Sequence, residues 1–200
     1  HIHDRRQRQM CIRDRDRRGG PEEKQLGFNL ASKIKAYAAL ASASRNTSNE
    51  LYITEVNWPL QGMGEWSPSK EYLIEESFQS RYMVRYYLLM LASGKVKKCY
   101  WHQLVAPGYG LVNNLDGKID KRDAYFCFKH MIEALSGGKT SKFIQEKNLY
   151  CLIVEKENTF LEVIWSIDKN ASFKSNPSQQ IFDIRGKVID TKNSPIIEIT

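Results

Sequence analysis

The stretch Leu51–Pro68, LYITEVNWPLQGMGEWSP, decides how the rest of the 200-residue chain is read. Its first six residues, LYITEV, are rich in β-branched and aromatic side chains and read as a short buried strand. Pro59, Gly62, Gly64 and Pro68 then force a loop, which carries Trp58 and Trp66. The strand ends close to a carboxylate. A carboxylate buried bare is costly, so Glu55 must be hydrogen-bonded, paired or put to chemical work.

Upstream of that strand, Phe28, Leu30, Ile34, Tyr37, Ala38 and Ala41 recur at helical spacing, which predicts an amphipathic helix over 28–43. The turn formers of SRNTSNE (44–50) end it. Downstream, Ile74–Ser93 is the best helix in the chain. Glu75 and Glu76 sit in its first turn, at the positive end of the dipole, and Gly94 is placed to stop it. A second apolar run, KCYWHQLV (Lys98–Val105), reads as another buried strand. A Gly/Pro loop follows, and then a helix over Lys121–Leu135. Helix, strand, helix, strand, helix in that order implies parallel strands joined by crossover helices. After Ser136–Lys139 the texture changes to short strand candidates separated by Asn, Asp, Gly and Pro. Residues 21–137 are therefore expected to form an α/β domain and 138–200 a small all-β, sandwich-like one.

Composition is that of an ordinary soluble chain, 42% hydrophobic and 26% charged, and no run approaches the length of a membrane span. The net charge of +7 suggests a polyanion partner until its location is considered. Residues 1–18 hold Arg5, Arg6, Arg8, Arg13, Arg15, Arg17 and Arg18 against three aspartates, and the rest is nearly balanced. An arginine-rich arm for nucleic acid is one reading of that segment. The other is that it resembles in-frame translation of sequencing-adapter read-through from assembled environmental DNA, and residues 1–20 are set aside on that ground as non-native or disordered. The chain starts at His1 rather than Met and reads as a piece of something longer. Its four cysteines and four histidines show no metal-ligand spacing, so neither a zinc site nor a disulfide framework is expected.

The residues of Leu51–Pro68, the long helix with KCYWHQLVAPGYGLV (98–112), and DKRDAYFCFKHM (120–131) together carry a resemblance. They look like the last two βα units of a clan A (β/α)8 retaining glycoside hydrolase, closest in texture to family 39. The resemblance implies a partial TIM-type barrel followed by a small β-domain. It also implies roles: Glu55, in its Thr-Glu pair, as the nucleophile, and Trp101 as the platform for the cleaved sugar. Trp58 and Tyr109 would extend the cleft, and Asn57 would hydrogen-bond a hydroxyl. Trp66, Trp165, Tyr82, Tyr86 and Tyr87 are expected in the core. His102 departs from the second aromatic that relatives often carry. The implied partner is a carbohydrate, with no metal or cofactor and no nucleic acid, and relatives of this texture point to a periplasmic or extracellular setting.

Retaining hydrolysis needs a second carboxylate as acid/base. Relatives take it from an Asn-Glu pair on a strand far upstream, whereas the pair here, Asn49-Glu50, lies at the wrong end of its strand. Glu65 is a distant candidate. A full barrel needs about 250 residues and eight strands. The expectation is thus a fragment with one of two catalytic groups. The alternative is a non-catalytic carbohydrate-binding protein using Trp58 and Trp101.

Overall fold

The structure is a computed structural model that describes residues 8–15, 19–44, 47–67, 71–168, 171–176, 178–190 and 196–199. The chain divides into two units, His1–Tyr125 and Phe126–Thr200.

The first unit is α/β. Its strands are β1 (Arg8–Arg15), β2 (Thr47–Asn57) and β3 (Val96–Trp101), separated by helices α1 (Leu30–Ala43) and α2 (Glu76–Ser93). They form a sheet in the order β1-β2-β3 with both pairings parallel, as crossover helices require. Asn29 caps α1 by accepting from the Ser32 amide at 2.9 Å. Gly94, in the left-handed conformation at φ 58°, ends α2 where the sequence placed its stop. The helices pack on each other and on the sheet, and the core between them is Leu30, Ile34, Leu51, Ile53, Met83 and Tyr86, all 0–1% exposed. Along β2 burial alternates: Leu51 and Ile53 are buried, Tyr52 is half-buried and Thr54 exposed. A two-residue pair, β4 (Val112–Asn113) with β5 (Asp120–Lys121), follows, and α3 (Asp123–Leu135) begins.

Several element boundaries differ from the sequence reading, most by a few residues. The second strand stops at Trp101 rather than running to Val105. Beyond it the His102 amide still donates to the Val56 carbonyl, but Val112 then turns back to donate to Leu104, so the segment closes a loop. Residues 8–15, set aside above, form β1. Ile12 is 2% exposed on it, and Asp14 is 3% exposed and bonded to two other elements. The apolar Ile12 and its parallel pairing with β2 supply the physical reason. The side chains of Arg5, Arg6, Arg8, Arg13, Arg15, Arg17 and Arg18 lie outside the described residues.

The second unit takes up the chain inside α3. Phe126 lies under the Arg185 guanidinium and His130 faces the Phe182 ring at 6.2 Å, so this half of the helix packs with the segment that follows. The unit holds an antiparallel meander of β6 (Lys139–Glu146), β7 (Leu149–Lys156) and β8 (Thr159–Ser166). Two smaller antiparallel pairs complete it: β9 (Ala171–Lys174) with β12 (Ile196–Ile199), and β10 (Ile181–Phe182) with β11 (Val188–Ile189). Its core is Tyr150, Leu152, Val154 and Trp165. Among the described residues no helix is long and apolar enough to cross a membrane.

Candidate active site

In a parallel α/β sheet the C-terminal strand ends and the loops after them build the site. Here those are the ends of β2 and β3, and β2 carries an irregularity at that point. Ile12 and Arg13, adjacent in β1, pair with Ile53 and Glu55, two apart in β2. On the other side Cys99 and Trp101 pair with Ile53 and Val56, three apart. Against both neighbours, β2 therefore holds one extra residue at Thr54–Glu55. A bulge of this kind breaks the alternation and re-aims a side chain. Ile53 and Val56 are both fully buried, while Glu55 between them is half-buried, with access to solvent.

Just beyond the bulge, Asn57 is fully buried and its side chain ties the loops together. Its Nδ2 donates to the carbonyls of His102 and Tyr109, the latter at 2.7 Å. Its Oδ1 accepts from the Trp58 amide at 2.6 Å and from Gln79 Nε2 at 3.3 Å. Gln79, on the first turns of α2, also donates to the Tyr109 carbonyl at 3.1 Å. Asn57 was expected to reach a sugar hydroxyl. Both hydrogens of its amide are committed to backbone, and its observed task is to join the end of β2 to the loop after β3. Gln79 was not singled out in the sequence, yet it lies four residues before Met83 and seven before Tyr86 on the buried stripe of α2. A polar side chain on that stripe was the available signal.

Trp58 is the second correction. It is 0% exposed, its Nε1 donates to the Gly19 carbonyl at 2.8 Å, and its ring packs among Tyr82, Tyr86 and Trp101 at 5.5–6.2 Å. A ring enclosed in that way has no face to offer a ligand. Trp101 itself is half-buried, and its Nε1 is buried with no hydrogen-bond partner among the described residues. Tyr109 is 4% exposed and meets the edge of His102 at 5.4 Å, so it is packed rather than displayed. Trp66, expected in the core, is 53% exposed. Tyr86 and Trp165 are buried as expected.

Other carboxylates of the unit's sheet are tied to neighbours. Asp14, at the end of β1, accepts from Lys33 Nζ at 2.5 Å and from the Tyr86 hydroxyl at 2.9 Å. Setting residues 1–20 aside hid it. Glu50 lies toward the opposite end of β2. Its carboxyl is held below the usual range by hydrogen bonds from Lys97 and then from Tyr52. On β3 the Cys99 thiol is pushed up to about 12, chiefly by burial, which leaves it protonated and unreactive at neutral pH. Among the described residues no group of three His, Cys, Asp or Glu side chains is placed to hold a metal ion.

No family model matches the chain, and no curated protein matches it. A solved structure does. A family 39 glycoside hydrolase from the gut symbiont Bacteroides cellulosilyticus WH2 superposes with a TM-score of 0.68 at 11% sequence identity. The likeness is one of fold. It takes in 94% of this chain and 40% of that one, so the chain spans less than half the length of the glycosidase it matches.

Proposed function

We propose that this chain is the nucleophile-bearing part of a retaining glycoside hydrolase acting on a poly- or oligosaccharide. The observation that carries the reading is the bulge at Thr54–Glu55. It sets a half-buried glutamate at the C-terminal end of a parallel strand, in a fold shared with a family 39 glycosidase. The fully bonded Asn57 beneath it fixes the strand end, which is what a group that must meet one carbon atom requires.

In the first step a Glu55 oxygen attacks the anomeric carbon as the bond to the leaving oxygen breaks, and a second carboxylic acid protonates that oxygen. In the second step the same group, now a base, takes a proton from water. The water oxygen displaces Glu55 and frees the sugar. Retaining enzymes hold the two carboxyl groups about 5–5.5 Å apart. We assign the acid/base to chain outside these 200 residues, and the isolated piece is then inactive on natural glycosides. Trp101 lies in register with Val56, beside the bulge, and its half-buried ring serves as the sugar platform. This chemistry calls for no metal or cofactor.

The test uses a reagent that needs no acid. A 2,4-dinitrophenyl 2-deoxy-2-fluoroglycoside has a leaving group that departs unprotonated, so the nucleophile alone traps the sugar. With glucosyl, xylosyl and mannosyl versions, one is expected to add its mass to the peptide containing Glu55, and Glu55→Gln abolishes the label. Labelling of none of them at Glu55 overturns the assignment. Glycan binding without any label makes the chain a carbohydrate-binding protein instead.

A further inference from the structure

We infer that Trp66 is the aromatic platform for a second ring of the bound saccharide, one removed from the ring that reacts at Glu55; the inference rests on the glycosidase reading above. Trp58 and Trp165 are 0% and 6% exposed, whereas Trp66 is 53% exposed. It closes a 3-10 turn, Gly64–Trp66, in the loop after β2, with its amide donating to the Met63 carbonyl at 3.0 Å. The next residue, Ser67, is buried and donates its hydroxyl to the Leu60 carbonyl at 2.5 Å. The loop after β3 locks the same turn from the other side. The Leu60 amide donates to the Gly108 carbonyl at 2.9 Å, and a Cβ at Gly108 would lie 1.9 Å from the Trp66 carbonyl oxygen. Only glycine permits that approach.

The loops that follow two neighbouring parallel strands therefore meet at Trp66, at the strand ends where Glu55 and Trp101 lie. The backbone that carries this exposed indole is fixed by both loops, so binding need order only the side chain itself. Its flat apolar face suits the C–H face of a pyranose ring. The exposed Glu65 on the same turn supplies acceptors for the hydroxyls around that ring. An uncharged oligosaccharide of several rings is the ligand class, one ring for Trp101 and the next for Trp66.

Titration calorimetry of the 200-residue chain with xylohexaose, cellohexaose, mannohexaose and laminarihexaose tests this. The tightest of the four is expected to bind about tenfold more weakly to Trp66→Ala, the size of one lost aromatic stacking contact. Trp66→Phe, which keeps a flat ring, is expected to stay within about threefold. Both variants should unfold at the wild-type temperature, because the side chain is exposed. Equal binding by Trp66→Ala and wild type overturns the inference, and so does the absence of binding by every hexasaccharide. The fluoroglycoside label separates the two claims. A labelled Glu55 with binding indifferent to Trp66 sinks the platform alone, whereas an unlabelled Glu55 sinks the glycosidase reading first.

Discussion

The two units solve the same problem, a small sheet that must be held in one arrangement, by opposite means. At the C-terminal ends of parallel strands the backbone leaves the ladder, and its carbonyls need partners that the sheet no longer supplies. The first unit meets that need with side chains. Asn57 and Gln79 satisfy the Tyr109 carbonyl, and Asn57 also takes the His102 carbonyl and the Trp58 amide. In the second unit the antiparallel meander turns back on itself within two residues at Lys147 and Asn148, so the central strand β7 is paired with a neighbour on each side. There the cohesion is apolar: Tyr150 and Trp165 pair across β7 and β8 and stack at 5.2 Å with 8° between planes, with Phe143 on their flank. The unit with the buried amides is the one with the candidate site. Polar satisfaction fixes directions, and chemistry needs directions. Apolar stacking fixes chiefly volume.

The sharpest way to break this contrast is to make shape-conserving substitutions in both units and compare them. Asn57→Leu keeps the volume of the side chain but strands the His102 carbonyl and the Trp58 amide, leaves the Tyr109 carbonyl to Gln79 alone, and is expected to cost about 4 kcal/mol. Trp165→Phe keeps a flat ring in the stack and is expected to cost about 1–2 kcal/mol, against about 3–5 kcal/mol for Trp165→Ala. Urea unfolding followed by circular dichroism measures all three. If Asn57→Leu proves as mild as Trp165→Phe, the amide is not what holds the first unit.

The same contrast explains what could be read in the sequence. Periodicity reports which residues turn inward, so α1, α2, β2 and the start of β3 were legible within a few residues. It cannot report what a buried polar group bonds to. Asn57 looked like a ligand for sugar, although its partners, the His102 and Tyr109 carbonyls, are more than 40 residues away. Trp58 and Trp66 lie eight residues apart in one loop, and composition gave no ground for deciding which would be enclosed. The outcome depends on Gly19 and Tyr86 for one and on Gly108 for the other. The bulge at Thr54–Glu55 was equally hidden, because it exists only relative to the strands on either side.

A smaller effect is expected at Asp14, where the first unit uses a charge instead of an amide. Asp14→Asn keeps the shape but removes the ion pair with Lys33, which is itself 19% exposed, and weakens the bond from Tyr86. We expect a loss of about 2 kcal/mol, less than for a pair wholly withdrawn from water. Because Asp14 belongs to β1, the measurement also tests whether residues 8–15 contribute to the native fold. An Asp14→Asn protein as stable as wild type, together with unchanged stability after deletion of residues 1–18, would return that segment to the status the sequence first suggested.

The smallest effect belongs to a solvent-facing ion pair of the first unit. Glu50 on β2 pairs with Lys97 on β3, with side chains 41% and 52% exposed. Hydrogen bonding to Lys97 lowers the Glu50 carboxyl below its ordinary 4.5, and hydrogen bonding to Glu50 raises the Lys97 ammonium above its ordinary 10.5. The carboxylate's contribution is complete above pH 4.5 and is lost as pH falls through the lowered value. The ammonium's contribution is complete below pH 10.5 and is lost as pH rises through the raised one. The pair therefore stabilises the protein across the window between those values. Exposed cross-strand pairs are strongly screened, so Lys97→Ala is expected to shift the urea midpoint only slightly at pH 7. The gap between wild type and variant should narrow in 1 M salt and close as pH falls through the lowered Glu50 value. A gap that persisted once Glu50 is protonated would mean that the methylene stem of Lys97 matters more than its charge.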